Sequence, residues 1–188
     1  LFREIKEAIG GRGSLVAGTG SNSTAEALEA TREAEKIGVD ACLLVVPYYN
    51  KPTQEGLYQH FRTVAESTSL PCILYNVPSR TVVNMTADTV IRLSQIKNII
   101  GVKEASGNFE QIAKIIEQAP DDFLVWSGND TDTFPIMALG GYGIISVASH
   151  LVGKQIKQMI DSFVSGRVAE AAAMHRRLLP LVDALFII

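Results

Sequence analysis

A regular alternation of apolar runs and amphipathic stretches is the feature that most limits how this chain can fold. Strands buried on both faces carry few polar residues, and six runs of this kind lie at 14–20, 41–47, 71–77, 99–105, 123–129 and 143–149. Helical patterns separate or follow them, at 23–37, 52–66, 86–95, 108–118, 131–139, 152–165 and 167–186. A strand-to-strand spacing of about 20–30 residues is that of repeated βα units. The pattern predicts an α/β fold with a parallel sheet.

Two architectures are built from such units, a doubly wound sheet and a (β/α)8 TIM barrel. A dinucleotide-binding sheet should carry GxGxxG after its first strand, whereas GTGSNSTAEA lacks the third glycine. Polar side chains instead follow several strands, namely Tyr48, Tyr49, Tyr75, Lys103, Ser127, Asn129 and Ser146. In a barrel these carboxyl ends meet at one mouth. We therefore predict part of a TIM barrel.

Composition excludes some classes of function. The chain has 188 residues, 47% of them hydrophobic, and a net charge of −3, which makes nucleic acid an unexpected partner. Cys42 and Cys72 lie in apolar runs without metal-ligand spacing, so we expect buried thiols, no metal and a reducing compartment. No run is long enough to span a membrane and no signal peptide is visible, which predicts a soluble cytoplasmic protein. Both ends lie inside helical patterns, and our interpretation is a piece of a longer protein.

Lys103 stands inside the apolar run IIGVKEASG. Burial there disfavours the charged ammonium and should lower its pKa, which favours a neutral amine that can attack carbonyls. The alternative is a strand-end lysine whose amine extends to water and has no chemical role. Glu104, the next residue, should point to the opposite face and act as a structural partner.

Three further segments suggest a chemistry for this amine. Tyr75 lies near the end of a strand and could relay protons, while Arg80 in the following loop offers a planar guanidinium for a carboxylate. Tyr48 and Tyr49 should point to opposite sides if strand geometry continues through them. An amine, a phenol and a guanidinium at neighbouring strand ends suit imine chemistry on a 2-oxo acid. Packing roles for the tyrosines and a surface position for Arg80 remain alternatives.

The segments GTGSNSTAEA, PYYNKPTQEGLYQHF, LYNVPSRT, IGVKEASGN and GIISV resemble, in order and spacing, the dihydrodipicolinate synthase family of pyruvate-dependent class I aldolases. The resemblance covers essentially the whole chain. It implies a lyase-type synthase of lysine and diaminopimelate biosynthesis that joins pyruvate to L-aspartate 4-semialdehyde, with no cofactor beyond a covalent pyruvate imine. It also implies a homodimer or homotetramer and, in some members, feedback inhibition by L-lysine.

The resemblance assigns roles to individual residues. It implies that Lys103 forms the Schiff base, that Tyr75 relays protons and that Tyr49 reaches into a neighbouring subunit's relay. Substrate binding falls to Arg80, which would engage the semialdehyde carboxylate, and to Ile145, whose backbone would line the pyruvate pocket. The positions that match the L-lysine site are Asn22, Glu26 and Tyr48. For Asn22 and Glu26, a helix N-cap followed by a solvated glutamate is an equally good interpretation.

This chain departs from the family pattern in three places. The family's threonine loop, of Gly-Thr-Thr-Gly-Glu type, is absent, so we expect βα units 3 to 8 in residues 1–150. Residues 151–188 would then hold the last barrel helix and the start of a C-terminal helical region. Val82 and Asn129 replace a glycine and an aspartate that are common in the family. The alternatives are an N-acetylneuraminate or keto-deoxy-sugar lyase, or an inactive fragment.

Overall fold

The computed structural model describes residues 1–187, which form a curled sheet of six parallel strands covered by helices. The strands are β1 Val16–Gly18, β2 Ala41–Val45, β3 Cys72–Asn76, β4 Ile99–Glu104, β5 Leu124–Ser127 and β6 Gly143–Ile144. They are hydrogen-bonded in sequence order, β1 to β6. A doubly wound sheet reverses its strand order, whereas a barrel does not. The predicted incomplete TIM barrel is therefore confirmed.

Nine helices among the described residues connect or follow these strands. They are α1 Phe2–Ile9, α2 Thr24–Ile37, α3 Gln54–Ala65, α4 Pro78–Thr81, α5 Ala87–Leu93, α6 Phe109–Gln118, α7 Thr133–Ala138, α8 Ser149–Val164 and α9 Val168–Ala184. A 3₁₀ turn, Asp130–Asp132, precedes α7. The predicted strands extended one or two residues too far at most ends and five residues too far at the end of β6, because apolar residues such as Val46 and Ile145 follow the last residue of the strand. The short α4 was not predicted, and its single turn places Arg80 on a helix rather than in a loop.

Side-chain hydroxyls and amides determine where three helices begin. Ser23 caps α2 by accepting from the Glu26 N–H, and Thr53 and Asn108 accept in the same way at the starts of α3 and α6. Each cap accepts a hydrogen bond from a backbone N–H that the first helical turn leaves unpaired. Such a cap contributes about 1 kcal/mol to the stability of the folded protein. The N-cap interpretation given above for Asn22 is wrong by one residue, because the structure places the α2 cap at Ser23.

The main hydrophobic core lies between the outer face of the sheet and the helices. Its fully buried side chains include Leu44, Leu74 and Val102 from the strands and Phe61 from α3. A smaller cluster joins α8 to α9 through residues such as Ile156. Because successive strand residues point to opposite faces, the residues between these core positions face the interior of the curled sheet.

Cys42 and Cys72 are free thiols and fully buried, as predicted. They also lie opposite each other in the register of β2 and β3. Burial raises the pKa of the Cys72 thiol to about 12. The predicted boundary between residues 150 and 151 falls in the first turn of α8, next to non-helical backbone at Val152. The division into two regions stays a prediction.

Candidate active site

One row of side chains crosses the inner face of the sheet near the carboxyl ends of the strands. Strand register places Val45 beside Tyr75, Tyr75 beside Lys103 and Lys103 beside Trp126. All three ladders are parallel, so these residues share one face. The βα repeat therefore brings the predicted amine and phenol together without any help from the loops.

Lys103 is buried, with 7% of its surface exposed, and its Nζ lies 4.2 Å from the centroid of the Tyr75 ring. Burial lowers the pKa of the Lys103 amine, while the negative charge of Asp130 opposes this shift. Burial also raises the pKa of the Tyr75 phenol, against the effect of the Arg80 charge. The lowered amine pKa is the direction that imine chemistry requires, because only the neutral amine is a nucleophile.

A cavity of about 430 Å³ opens beside this pair. Tyr75 and Arg80 line it, together with Asp130, which follows β5. Lys103 lies behind Gly128, a residue of the cavity wall: a Cβ at that position would lie 3.2 Å from Lys103 Cε and 2.7 Å from Ala105 Cβ. The absence of a side chain at Gly128 therefore leaves room for the lysine.

A larger cavity, of about 590 Å³, lies between α8 and α9. Helix side chains such as Val152, Glu170 and Leu181 form its walls, and the described residues that line it include no lysine, cysteine or tyrosine. We place the candidate active site at the strand ends instead, because that cavity has a nucleophile at its border and adjoins the barrel mouth.

Glu104 points away from Lys103, as predicted. It is fully buried on the outer face and accepts hydrogen bonds from Asn76 Nδ2 at 3.1 and 3.2 Å, Ser106 N at 2.9 Å and Gln111 Nε2 at 3.2 Å. Burial raises the pKa of the Glu104 carboxyl, while these hydrogen bonds oppose the shift. Glu104 joins β3, β4 and α6 rather than serving as a base for the lysine.

The other predicted site residues lie outside the cavity. Tyr49 is 87% exposed and has a left-handed φ of 74°. Strand β2 ends at Val45, so strand geometry does not continue through Tyr48 and Tyr49, and the condition for their pointing to opposite sides is not met. Ile145 directly follows β6, and its N–H donates to Ser127 O at 3.0 Å. Neither residue is among the described residues that line the cavity.

Asn22, Glu26 and Tyr48 cluster at the start of α2. Asn22 Nδ2 donates to Tyr48 O at 3.1 Å, and Asn50 Nδ2 donates to Asn22 O at 2.8 Å. The Glu26 carboxylate accepts from Ser21 Oγ at 2.7 Å. The cluster is exposed to partly buried and lies apart from the residues that line the cavity.

Sequence reasoning missed two contributions to the site. Asp130 lines the cavity, and its position directly after Asn129 at a strand end was a signal that could have identified it. Val182, Asp183 and Phe186 reach the same cavity from the end of α9 and beyond. Nothing in their local pattern indicates this placement, because it depends on how α9 packs on the barrel.

Within residues 1–187, no helix combines the length and apolar character needed to cross a bilayer. Over the same residues, no group of three or more histidine, cysteine, aspartate or glutamate side chains is arranged to hold a metal ion.

Comparison with known proteins identifies the relatives of the chain. The profile described as the dihydrodipicolinate synthetase family matches residues 1–188. A curated 4-hydroxy-tetrahydrodipicolinate synthase from Dehalococcoides mccartyi is 68% identical over 188 residues, which are all of this chain and 63% of the relative. A synthase of the same name from Moorella thermoacetica is 59% identical over 187 residues, or 100% of this chain and 64% of the relative.

A comparison with solved structures also finds dihydrodipicolinate synthases. The crystal structure of dihydrodipicolinate synthase from Cyanidioschyzon merolae with lysine bound matches with a TM-score of 0.97 and 49% identity. The match covers 100% of this chain and 64% of that structure. The chain thus spans a little under two thirds of the length of the relatives that it matches.

Proposed function

The chain belongs to the dihydrodipicolinate synthetase family, and we propose that the protein containing it condenses pyruvate with L-aspartate 4-semialdehyde to form 4-hydroxy-tetrahydrodipicolinate. This reaction belongs to the diaminopimelate route to lysine. The observation that carries the proposal is the buried Lys103 amine, which lies over the Tyr75 ring at the border of a cavity that Arg80 also lines.

The chemistry begins at Lys103. Its neutral amine adds to the C2 carbonyl of pyruvate, and loss of water gives an iminium that withdraws electrons from the adjacent methyl group. Removal of a methyl proton gives an enamine, whose carbon attacks the aldehyde of the semialdehyde and re-forms the iminium. The amino group of the semialdehyde then adds to the iminium carbon and displaces the Lys103 amine, which closes the ring of the product and frees the lysine. Tyr75, adjacent to the amine, relays the protons of these steps. The imine is the only covalent group the proposal requires, and no separate cofactor takes part.

Arg80 and Ile145 bind the substrates in this proposal. The Arg80 guanidinium lies at the cavity wall on the one-turn helix α4, where it can form paired hydrogen bonds with the semialdehyde carboxylate. The Ile145 backbone lines the pyruvate side. Both roles follow from the family resemblance, and the position of Arg80 beside Tyr75 supports the first of them.

Tyr49 serves a neighbouring subunit in this proposal. Tyr49 exposes 87% of its surface, which leaves its apolar ring in contact with water. Its backbone is also in the left-handed region, and such strained residues cluster at functional sites. A second copy of the protein that receives Tyr49 in its proton relay would cover it, which supports a homodimer or homotetramer.

We also propose that Asn22, Glu26 and Tyr48 form a site for L-lysine as a feedback inhibitor. The related structure from Cyanidioschyzon merolae has lysine bound, and here Asn22 contacts the Tyr48 backbone one helical turn from Glu26. A cytoplasmic location is proposed as well, since two free buried thiols suit a reducing compartment.

The alternative aldolases, which cleave sialic acid or keto-deoxy sugars, are not favoured. The curated relatives described above carry the synthase name at 68% and 59% identity. Arg80, a carboxylate-binding group, also stands where a polyhydroxyl chain would need hydroxyl-binding side chains.

Borohydride trapping tests the role of Lys103. Incubation of the full-length protein with pyruvate and borohydride should add one reduced pyruvyl group to Lys103, detected by peptide mass spectrometry. The Lys103→Arg variant should gain no adduct, because its guanidinium stays protonated. A folded wild-type protein whose Lys103 remains unmodified would show that the proposed chemistry is wrong.

Steady-state kinetics test Arg80. We expect Arg80→Ala to lower kcat/KM for L-aspartate 4-semialdehyde about 100-fold, since a charge-assisted carboxylate contact contributes about 1.5–3 kcal/mol. Pyruvate trapping at Lys103 should be little changed. Arg176→Ala, which removes an exposed arginine of α9, is the matched control. Equal loss in both variants, or none in Arg80→Ala, would contradict the carboxylate role.

A further inference from the structure

Asp130 is a buried carboxylate at the candidate site to which the proposed mechanism gives no role. It lies in the 3₁₀ turn after β5, is 8% exposed and lines the cavity with Tyr75 and Arg80. Aspartate is rarely buried without a partner or a function. Its hydrogen bonds and its neighbouring charges therefore need an explanation.

Three donors from one loop hold this carboxylate. Ser146 Oγ donates to Asp130 Oδ1, and the backbone N–H groups of Val147 and Ala148 donate to Oδ2 at 3.0 and 3.2 Å. All three donors follow β6, directly after Ile145. A carboxylate that accepts from two consecutive backbone N–H groups and a hydroxyl has a fixed orientation. The same bonds fix the loop that carries the Ile145 backbone.

The charge of Asp130 acts on Lys103, where it favours the cationic form of the amine. The other ionisable groups that line the adjacent cavity are Tyr75 from β3, Arg80 from α4 and the exposed Asp183 from α9. His175 of α9 lines a second, small cavity together with Asp130. Glu104 lies on the opposite face of β4. Asp130 is thus the buried anion next to Lys103 on the inner face.

Imine formation creates a need for such an anion. The neutral amine, the keto group and one proton give an iminium and one water, so a cation replaces a neutral group at a buried position. A buried cation without a counter-charge is strongly disfavoured. A carboxylate already oriented by the protein stabilises it without reorganisation.

Resting on the proposed function, we propose that Asp130 is a positioning residue whose carboxylate, oriented by the 146–148 loop, serves as the counter-ion of the Lys103 iminium. The same hydrogen bonds keep the Ile145 backbone beside the pyruvate that the iminium holds. Asp130 therefore has two roles: it stabilises the positive charge of the intermediate and it holds the loop that carries the Ile145 backbone.

The test is borohydride trapping in the full-length protein as a function of pyruvate concentration and pH. In Asp130→Asn, the pyruvate concentration for half-maximal trapping should rise about tenfold, because the iminium loses its counter-ion. The pH at which Lys103 becomes reactive should also fall, because the carboxylate no longer favours the ammonium. A merely structural loss would admit water and move that pH upward, toward the ordinary lysine value.

Asp132→Asn is the matched control, since it removes the same charge from a half-buried side chain two residues away. It should trap pyruvate as the wild type does. If Asp130→Asn fails to fold by circular dichroism, Ser146→Ala decides the question, because it retains the charge and loosens its orientation. It should weaken pyruvate trapping by a smaller factor without lowering the pH of reactivity.

The outcomes separate this inference from the proposed function. A wild-type protein that is not trapped at Lys103 overturns the proposed function, and this inference with it. A wild-type protein that is trapped, with Asp130→Asn unchanged in both readouts, overturns the inference alone. An unchanged Ser146→Ala, in the case where Asp130→Asn does not fold, does the same.

Discussion

Two side chains in this structure occupy positions that their chemistry disfavours: Lys103 on β4 and Val82 at the end of α4. Lys103 is buried beside Tyr75, where desolvation lowers the amine pKa. Val82 ends α4 with a φ of 66°, in the left-handed region that β-branched residues rarely adopt. The desolvation of Lys103 has a use in the proposed reaction, because the lowered pKa favours the neutral amine that attacks pyruvate. The strain at Val82, which follows Arg80 by two residues, has none that the structure explains.

Replacement of Val82 should therefore stabilise the protein. Val82 is 67% exposed, so little packing is lost. Relief of left-handed strain contributes about 1–2 kcal/mol, and the greater freedom of glycine in the unfolded chain offsets about 0.5–1 kcal/mol. We expect Val82→Gly to raise the free energy of unfolding by about 0.5–1 kcal/mol in a denaturant titration.

Two further variants define the cause. Val82→Asn should give part of the gain, because asparagine tolerates the left-handed conformation, and Val82→Ile should give none. A Val82→Gly protein that is less stable than the wild type would show that the valine side chain makes contacts that outweigh its strain.

At the scale of secondary-structure elements, one polar network joins the sheet to the helical layer. Asn76 of β3 donates to Glu104 of β4, and Gln111 of α6 reaches both Glu104 and Asn84. The network lies directly behind the row that contains Tyr75 and Lys103, because its two strand members, Asn76 and Glu104, each follow one of these residues by one position. It therefore fixes the strand register that brings the amine and the phenol together.

The network makes stability depend on pH. The folded-state pKa of Glu104 lies above its ordinary value of 4.5, so the folded state binds more protons than the unfolded state between these two values. The free energy of unfolding should therefore fall as pH rises from the ordinary value through the raised one. We expect Glu104→Gln to remove this part of the decrease, measured by denaturant titration between about pH 5 and about pH 8.

Glu110→Gln is the control for this prediction, because Glu110 is exposed on α6 and lies outside the network. It should retain the wild-type slope of stability against pH. The same slope in Glu104→Gln would contradict the assignment of the pH dependence to the buried carboxyl.

At the scale of the whole molecule, the sheet has two edges. Among the described residues, β1 pairs only with β2 and β6 only with β5. Val16 on β1 is 42% exposed, and Tyr142, directly before β6, is 63% exposed. Unpaired backbone groups beside exposed apolar side chains favour pairing with another chain.

The isolated 188-residue polypeptide should consequently self-associate. We expect sedimentation velocity at about 50 µM to show oligomers or aggregates. Val16→Lys should reduce the association, because a charged side chain at an edge disfavours strand addition. Val168→Lys, which adds the same charge on α9, should not. A single monomeric species for the unsubstituted chain would contradict the prediction.

Much of the fold was predictable from local pattern alone. The apolar runs predicted all six strands, because strands buried on both faces carry few polar residues. The starts of α2, α3 and α6, which a capping hydroxyl or amide marks, were predicted to within one or two residues, whereas uncapped α8 begins three residues before its predicted start. The strand ends were less accurate, since hydrophobicity does not stop where ladder hydrogen bonds stop. The one-turn helix α4 is too short for periodicity to detect.

The candidate site was predictable only in part, and the limit is physical. Tyr75 and Lys103 were identified because a phenol and an amine stand out in apolar strands, and their juxtaposition follows from the parallel register. Asp130 was missed because its importance depends on donors sixteen to eighteen residues later in the chain. Asp183 was missed because only the packing of α9 brings it to the cavity.

The amino-acid sequence by itself determined the parallel βα architecture and placed Lys103 and Tyr75 near the carboxyl ends of neighbouring strands. These properties depend on local periodicity, and each strand carries them within a few residues. Only the tertiary structure decided that Gly128 leaves room for the lysine, that Gln111 of α6 donates to Glu104 and that Asp130 is held by the loop after β6. These contacts join segments distant in sequence, and they form only when the curled sheet closes the distance between its strand ends.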